Sequence, residues 1–279
     1  MQIPIIPFRG QKKPWGSIPR INWAHPLAAN LASYCYDAGG VLIDLVNGGV
    51  GSNVTATTAA RGVGSFGSGY KYTSGGGAIK LPFTSRINSI TPPASIACSF
   101  FVTAAPASGV FFVLADSAGD NPIYCAADSD TVMRQGFNSG PGDLTYTVAS
   151  VINGYHSMVG VGATTALVQA YFDGAFQTSA ANNPTATAPG VQPVFNSFNS
   201  ASLTGNTTAG FIHYGALWRR KITSAEAMQL HKDPYCFLIY PEDEMFATLV
   251  GVAAATTSED RFHQPWSSVG RRYAIIAAG

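Results

Sequence analysis

The chain predicts an all-β fold, an antiparallel β-sandwich with one short helix and an extended arm at each end. Three observations carry this reading. Short apolar or alternating runs recur along the chain, each bounded by Gly, Pro, Asp or Asn, which is the spacing of an antiparallel meander. Two alternating runs meet at Asp173-Gly174, and Asp-Gly is a strong hairpin signal because type I′ turns need positive φ at both central residues. A single segment carries helix punctuation: Thr223 and Glu226 have capping-box spacing ahead of Ala227, Met228 and Leu230, and Asp233-Pro234 closes the run. A lone helix of about ten residues is marginal in water, so it must pack on the strands around it.

The elements follow in chain order. Residues 1–21 contain Pro4, Pro7, Pro14 and Pro19, too many for a helix or a central strand, so this stretch is an extended arm. From Ile21 an aromatic first strand leads through Asp44 to a Gly-rich turn, and Gly48 to Gly77 is low in complexity, with one strand at Ser65 to Tyr72. Strands are predicted at Ala97–Thr103, Val110–Ala115, Ile123–Ala127, Val132–Phe137, His156–Gly162 and Ala166–Phe172. Asn182 to Thr208 is polar, holds Pro184, Pro189 and Pro193, and reads as a long loop around a strand near Val194–Phe198. Phe211–Trp218 is apolar on both alternating faces and should be a covered core strand, followed by the helix at Ser224–Lys232. After Tyr240 the rhythm stops. Residues 241–279 are too apolar for a solvated tail and read as a second docking arm. The body is thus one domain over residues 22–240.

Trp218, Arg219, Ile222, Thr223, Glu226 and Leu230, with the hairpin from His156 to Gln177 and the opening through Asp44, resemble the concanavalin A-like, laminin-G-like jelly-roll superfamily. The resemblance covers residues 22–240 and implies a jelly-roll sandwich. The Trp-Arg-Arg-Lys-Ile-Thr-Ser-Ala-Glu and Asp-Pro-Tyr close resembles domains found in tailed-bacteriophage virion proteins.

Composition narrows the partners. Sixteen Lys and Arg stand against 15 Asp and Glu, so no overall field attracts nucleic acid or anionic membranes. No window reaches the roughly 18 apolar residues of a spanning helix, and MQIPIIPFRGQKK lacks the charge-then-apolar order of a signal peptide, which predicts synthesis in the host cytoplasm and no membrane insertion. Only 11% of residues are charged, which suits a surface partly covered by neighbours. Cys35, Cys98, Cys125 and Cys236 are far apart, without a CxxC pair, and read as buried free thiols.

Candidate chemistry is sparse. Glu242-Asp243-Glu244 is the nearest approach to a glycosidase carboxylate pair, but it follows Pro241 beyond the helix and reads as a solvated acidic turn. His25, His156, His213, His231 and His263 are scattered, with no nucleophile elbow or zinc motif, and His156 and His213 read as hydrogen-bonded structural residues. No catalytic residue and no cofactor is assigned. Asp116, Asp120, Asp128 and Asp130 lie on neighbouring loops and are the candidate calcium ligands, although aspartate is also common in turns. Tyr70, Tyr72, Tyr146 and Tyr155 could stack on sugar rings, against the reading that they fill the core. The arms decide the expectation: a non-enzymatic structural protein of a bacteriophage virion, in capsid decoration or in a tail or fibre. It would contact other virion proteins and copies of itself through Ile5, Phe8, Trp15, Phe262, Trp266 and Tyr273. The alternative is a carbohydrate-binding module for a host-surface glycan.

Overall fold

A computed structural model describes residues 18–37, 41–53, 60–64, 67–72, 78–82, 84, 87, 90–106, 109–115, 123–137, 143–164, 166–181, 191–195, 197 and 209–240. The predicted contact residues of both arms fall outside this set. The described residues from Ile18 to Ile239 belong to one compact unit. Its strands are β1 (Arg20–Ile21), β2 (Leu31–Asp37), β3 (Leu42–Asp44), β4 (Ser52–Asn53), β5 (Ala60–Gly64), β6 (Gly67–Tyr72), β7 (Ile79–Lys80), β8 (Ala94–Val102) and β9 (Gly109–Ala115). They continue with β10 (Ile123–Ala127), β11 (Val132–Phe137), β12 (Asp143–Thr147), β13 (Tyr155–Thr164), β14 (Leu167–Phe172), β15 (Ala175–Ala180), β16 (Gln192–Phe195), β17 (Gly210–Trp218) and β18 (Leu238–Ile239), with helix α1 (Ser224–Lys232) between the last two.

Two antiparallel sheets pack as a jelly-roll sandwich. The smaller runs β12-β11-β10-β9-β16-β7-β4, and the larger runs β15-β14-β13-β8-β17-β2-β3, with β6 on β17 and β5 on β6. Between them lies an apolar core in which Phe100 stacks on Phe111 at 3.7 Å and Phe112 packs on Phe195 at 4.7 Å. Strand β17 sits centrally between β8 and β2 and is buried almost throughout, as its apolar faces predict. Gly215 admits the Phe112 ring: a Cβ there would lie 2.6 Å from a ring carbon.

The outer face of the larger sheet carries a second apolar layer. Tyr34 stacks on Tyr214 at 5.4 Å and meets Phe237 edge-on at 5.0 Å, and its hydroxyl donates to the Pro234 carbonyl at 3.0 Å. Trp218, fully buried, donates from Nε1 to the Leu27 carbonyl at 2.6 Å. Helix α1 spans the predicted residues. Thr223 accepts from the Glu226 amide at 3.3 Å, and Glu226 Oε2 accepts from the Thr223 amide at 2.9 Å. Arg220 then forks onto the same carboxylate at 2.7 and 2.9 Å and donates to the Ala29 and Pro26 carbonyls. Burial pushes the Glu226 pKa up, but the Arg220 and Thr223 hydrogen bonds outweigh it and hold the carboxyl below its usual range.

Asp44, the aspartate singled out in the sequence, organises the turn after β3. It accepts from Ser33 Oγ at 2.8 Å, Asn47 Nδ2 at 2.6 Å and the Val46 amide at 2.9 Å. Arg20 and Ile21, the last residues of the expected N-terminal arm, form a strand: Arg20 pairs with Ile239 and Ile21 with Leu238. The four cysteines are free, and only Cys236 is incompletely buried. Burial raises the thiol pKa values of Cys35, Cys98 and Cys236. Among the described residues no helix is long and apolar enough to cross a membrane.

Candidate functional site

Three places concentrate polar or exposed side chains. The first is a shelf on the outer face of the smaller sheet. In β-strands alternate residues share a face, so the pairing Arg134↔Thr145, Val132↔Thr147, Gly136↔Asp143 and Ala126↔Arg134 lines up Arg134, Asp143, Thr145 and Thr147 beside Tyr124. Thr145 and Thr147 are exposed. Arg134 lies over the Tyr124 ring, 5.4 Å from its centroid, and its Nε sits 3.5 Å from Asp128 Oδ1. Gly136 makes room for this stack, because any Cβ would collide with the Tyr124 ring. Burial raises the Asp143 pKa, with Asp128 adding to the effect, while Tyr124 and Arg134 oppose it. Burial and the Asp143 contact push the Tyr124 hydroxyl strongly up. The result is a row of hydroxyl, guanidinium and carboxyl groups on paired strands.

The second place is a cleft of about 560 Å³ beside the β1–β18 ribbon, walled by Ile18, Trp23, Ile43 and Leu45, with Arg20 and Asn22 at hand. Trp23 is 58% exposed and Ile18 55%. Val50 bridges to Ile43, and Val41 precedes Ile43 by one strand repeat. Ile18 and Trp23, two of the five exposed large hydrophobics among the described residues, line this cleft. Asp44 also lines the cleft, but its oxygens are engaged in the turn.

The third is a His–Asp–Ser cluster. Asp173, in the tight turn between β14 and β15, bonds His156 Nδ1 at 2.8 Å and accepts from the Ser157 amide at 2.9 Å. Ser157 Oγ meets His231 Nδ1 of α1 at 3.1 Å, and the same nitrogen lies 3.5 Å from Asp173 Oδ1. A catalytic relay needs serine and carboxylate on opposite nitrogens of the imidazole. Here both address Nδ1, and Ser157 is 1% exposed. The cluster instead ties the hairpin, β13 and the helix together. Gly174, at φ 76°, completes the turn, and a Cβ there would lie 2.7 Å from Met228 Cα.

The candidates drawn from sequence distribute as follows. Tyr146 and Tyr155 are each 8% exposed, and Tyr155 packs on His213 and His231, in line with the core reading. Tyr70 and Tyr72 belong to β6, and their side chains lie outside the description. Asp128 faces Arg134 and Asp130 accepts from Ser150 Oγ at 3.1 Å. Asp116 and Asp120 lie outside the described residues, among which no group of three His, Cys, Asp or Glu side chains could hold a metal ion. Glu242, Asp243, Glu244 and His263 lie outside them too. Sequence reasoning did not single out Arg134, Asp143, Thr145 or Trp23. The alternation in VMRQGF and DLTYT was the available signal, but nothing in it places the two runs side by side.

No family model and no curated protein matches this chain. Among solved structures it is similar to domain 4 of AbnA, a GH43 extracellular arabinanase from Geobacillus stearothermophilus, in complex with arabinotriose. That match has a TM-score of 0.56 at 14% identity and covers 73% of this chain and 98% of that one. It is also similar to Trypanosoma rangeli sialidase, with a TM-score of 0.54 at 16% identity over 73% of this chain and 33% of the sialidase. The botulinum neurotoxin serotype G binding domain matches with a TM-score of 0.54 at 13% identity over 72% of this chain and 50% of that one. The likeness is one of fold, and the chain spans only a third of the sialidase and half of the toxin domain.

Proposed function

We propose that this chain is a non-catalytic β-sandwich module that binds a glycan across the β11–β12 shelf. The observation that carries the reading is the row of Arg134, Thr145 and Thr147 on the paired strands β11 and β12, with Asp128 of the turn after β10 held against Arg134. Sugar hydroxyls both donate and accept, so recognition needs fixed donors and acceptors on a scaffold that does not move. A guanidinium, carboxylates and exposed threonines supply both kinds. Support comes from the arabinanase domain, which shares the sandwich along nearly its whole length and was solved with arabinotriose. Non-catalytic is part of the proposal: the His231 geometry suits packing rather than relay chemistry, and the shelf holds its carboxylates against Arg134 and Tyr124. A glycan array followed by calorimetry on the strongest hit tests it. Arg134→Ala should weaken binding at least tenfold while the circular dichroism spectrum shows the sandwich still folded. Undiminished binding by that variant, or an array without hits, would sink the reading.

A second reading, a structural component of a bacteriophage virion, rests on a different observation. The exposed Ile18 and Trp23 line one cleft, on a chain with only 11% charged residues. Electron microscopy of the native assembly would test it, the expected image showing the sandwich as an ordered, repeated part of a particle.

A further inference from the structure

We infer that the β11–β12 shelf selects its ligand by charge: it takes a glycan carrying an unacetylated amino sugar, binds neutral glycans more weakly and rejects uronic and sialic acids, with Asp128 and Asp143 setting the preference. This rests on the glycan reading above and names the ligand class of the same site. The shelf is acidic on a nearly neutral chain. From Ala115 to Thr147 the sequence holds Asp116, Asp120, Asp128, Asp130 and Asp143 against Arg134 alone. Among the described residues this leaves the carboxyl groups of Asp128, Asp130 and Asp143 beside one guanidinium, and the connections 116–122 and 138–142 contain no Lys or Arg. Register puts acids at both ends of the threonine row. The pair Gly136↔Asp143 marks one end and Val132↔Thr147 the other, where the Asp128 amide donates to the Val132 carbonyl at 2.8 Å and closes the turn that carries Asp128 and Asp130. At roughly 3.4 Å per residue, Asp143 to Thr147 spans about 14 Å. An oligosaccharide lying along this row meets a carboxyl group at each end.

Arg134 does not supply the counter-charge for an acidic sugar. Its Nε lies 3.5 Å from Asp128 Oδ1, and its charge also acts on Asp143, so one guanidinium is shared by two carboxyl groups. Burial is the main cause of the raised Asp143 and Tyr124 pKa values, and Asp128 adds to both against the pull of Arg134. A further carboxylate placed here would meet the same repulsion. The other cation among the described residues of this sheet is Lys80 of β7, four strands from β11. That is about 19 Å at roughly 4.8 Å per strand, well beyond the Debye length of about 8 Å at physiological salt, and the apolar Val113 and Val194 lie between. An ammonium reverses the sign of the interaction. It is a compact cation with three donors, and Asp128, whose side chain is 36% exposed, is placed to accept from it while Thr145 and Thr147 meet the ring hydroxyls.

The test screens the full chain on an array of neutral, amino and acidic oligosaccharides at about pH 6, where an amino-sugar nitrogen is an ammonium. Calorimetry then compares the strongest amino hit with its fully N-acetylated form, which keeps the backbone and removes the charge. The amino form should bind at least tenfold more tightly, and the gap should shrink as NaCl rises from about 0.05 to 0.5 M. Asp128→Asn, shown to be folded by circular dichroism, should narrow the gap to less than about threefold. The salt series on the unchanged chain tests the inference without any variant. Strongest binding by neutral or acidic glycans, equal binding of the amino and N-acetylated forms, or a gap that neither salt nor Asp128→Asn reduces would each overturn the charge preference. Where such binding is still lost in Arg134→Ala, the shelf reading stands. An array without hits would overturn both.

Discussion

Replacing Arg220 by Ala tests how the helix is held. The guanidinium makes two charge-assisted bonds to Glu226, at 2.7 and 2.9 Å, between side chains only 19% and 16% exposed. It also donates to Ala29 O at 2.8 Å and Pro26 O at 3.0 Å. A bond to a charged group contributes about 1.5–3 kcal/mol, and an exposed ion pair less than about 1 kcal/mol. Solvent can replace Arg220 at the two carbonyls, so the fork dominates and the loss should be about 3 kcal/mol. At about 2–4 °C per kcal/mol for a domain of this size, the melting temperature should fall by about 6–12 °C. Arg220→Lys keeps the charge but not the fork, so it should recover less than half of the loss. Urea titration followed by tryptophan fluorescence reads the free energies directly. A change below about 1 kcal/mol for Arg220→Ala, or full rescue by Lys, would refute the argument that geometry rather than charge anchors α1.

Further outcomes follow from the same contacts. Gly136→Ala, which forces a Cβ into the Tyr124 ring, should cost about 1–3 kcal/mol by overpacking, read by thermal melting. Trp218→Phe leaves the Leu27 carbonyl without its buried donor and should cost about 2–4 kcal/mol in urea. Burial holds the His231 pKa below its ordinary 6.5 despite Asp173. The folded chain therefore binds fewer protons than the unfolded chain just below that pH. Stability should be full above pH 6.5 and decline as pH falls toward the lowered value, and His231→Gln should flatten that decline in melts from pH 7.5 to 5.5.

The parts of the fold that could be read in the sequence are those whose signals are local. Thr223 and Glu226 stand three residues apart, and the box they form is seen in the structure. Asp173-Gly174 needs only its own backbone angles, φ 49° and 76°. The alternation of Gly210–Trp218 reports burial on both faces without naming the neighbours. What escaped depends on pairing between distant segments. Arg20 and Ile21 look like arm until Leu238 and Ile239 lie beside them. Arg220 sits three residues before the N-cap and shows its role only once Pro26 and Ala29 are brought underneath. The shelf is of the same kind: Arg134 and Thr145 become neighbours through strand register, which no spacing in the chain encodes. Trp23 could not be told from the many buried aromatics, because exposure is a property of the packed molecule.

Amide chemical-shift mapping of the isotope-labelled chain, titrated with arabinotriose and separately with sialic acid, tests the proposed glycan site most directly. Saturable shifts confined to Val132–Phe137 and Asp143–Thr147 with at least one sugar are the predicted result. Shifts that map to the Trp23 cleft instead, or no saturable shift with either sugar at millimolar concentration, would contradict it.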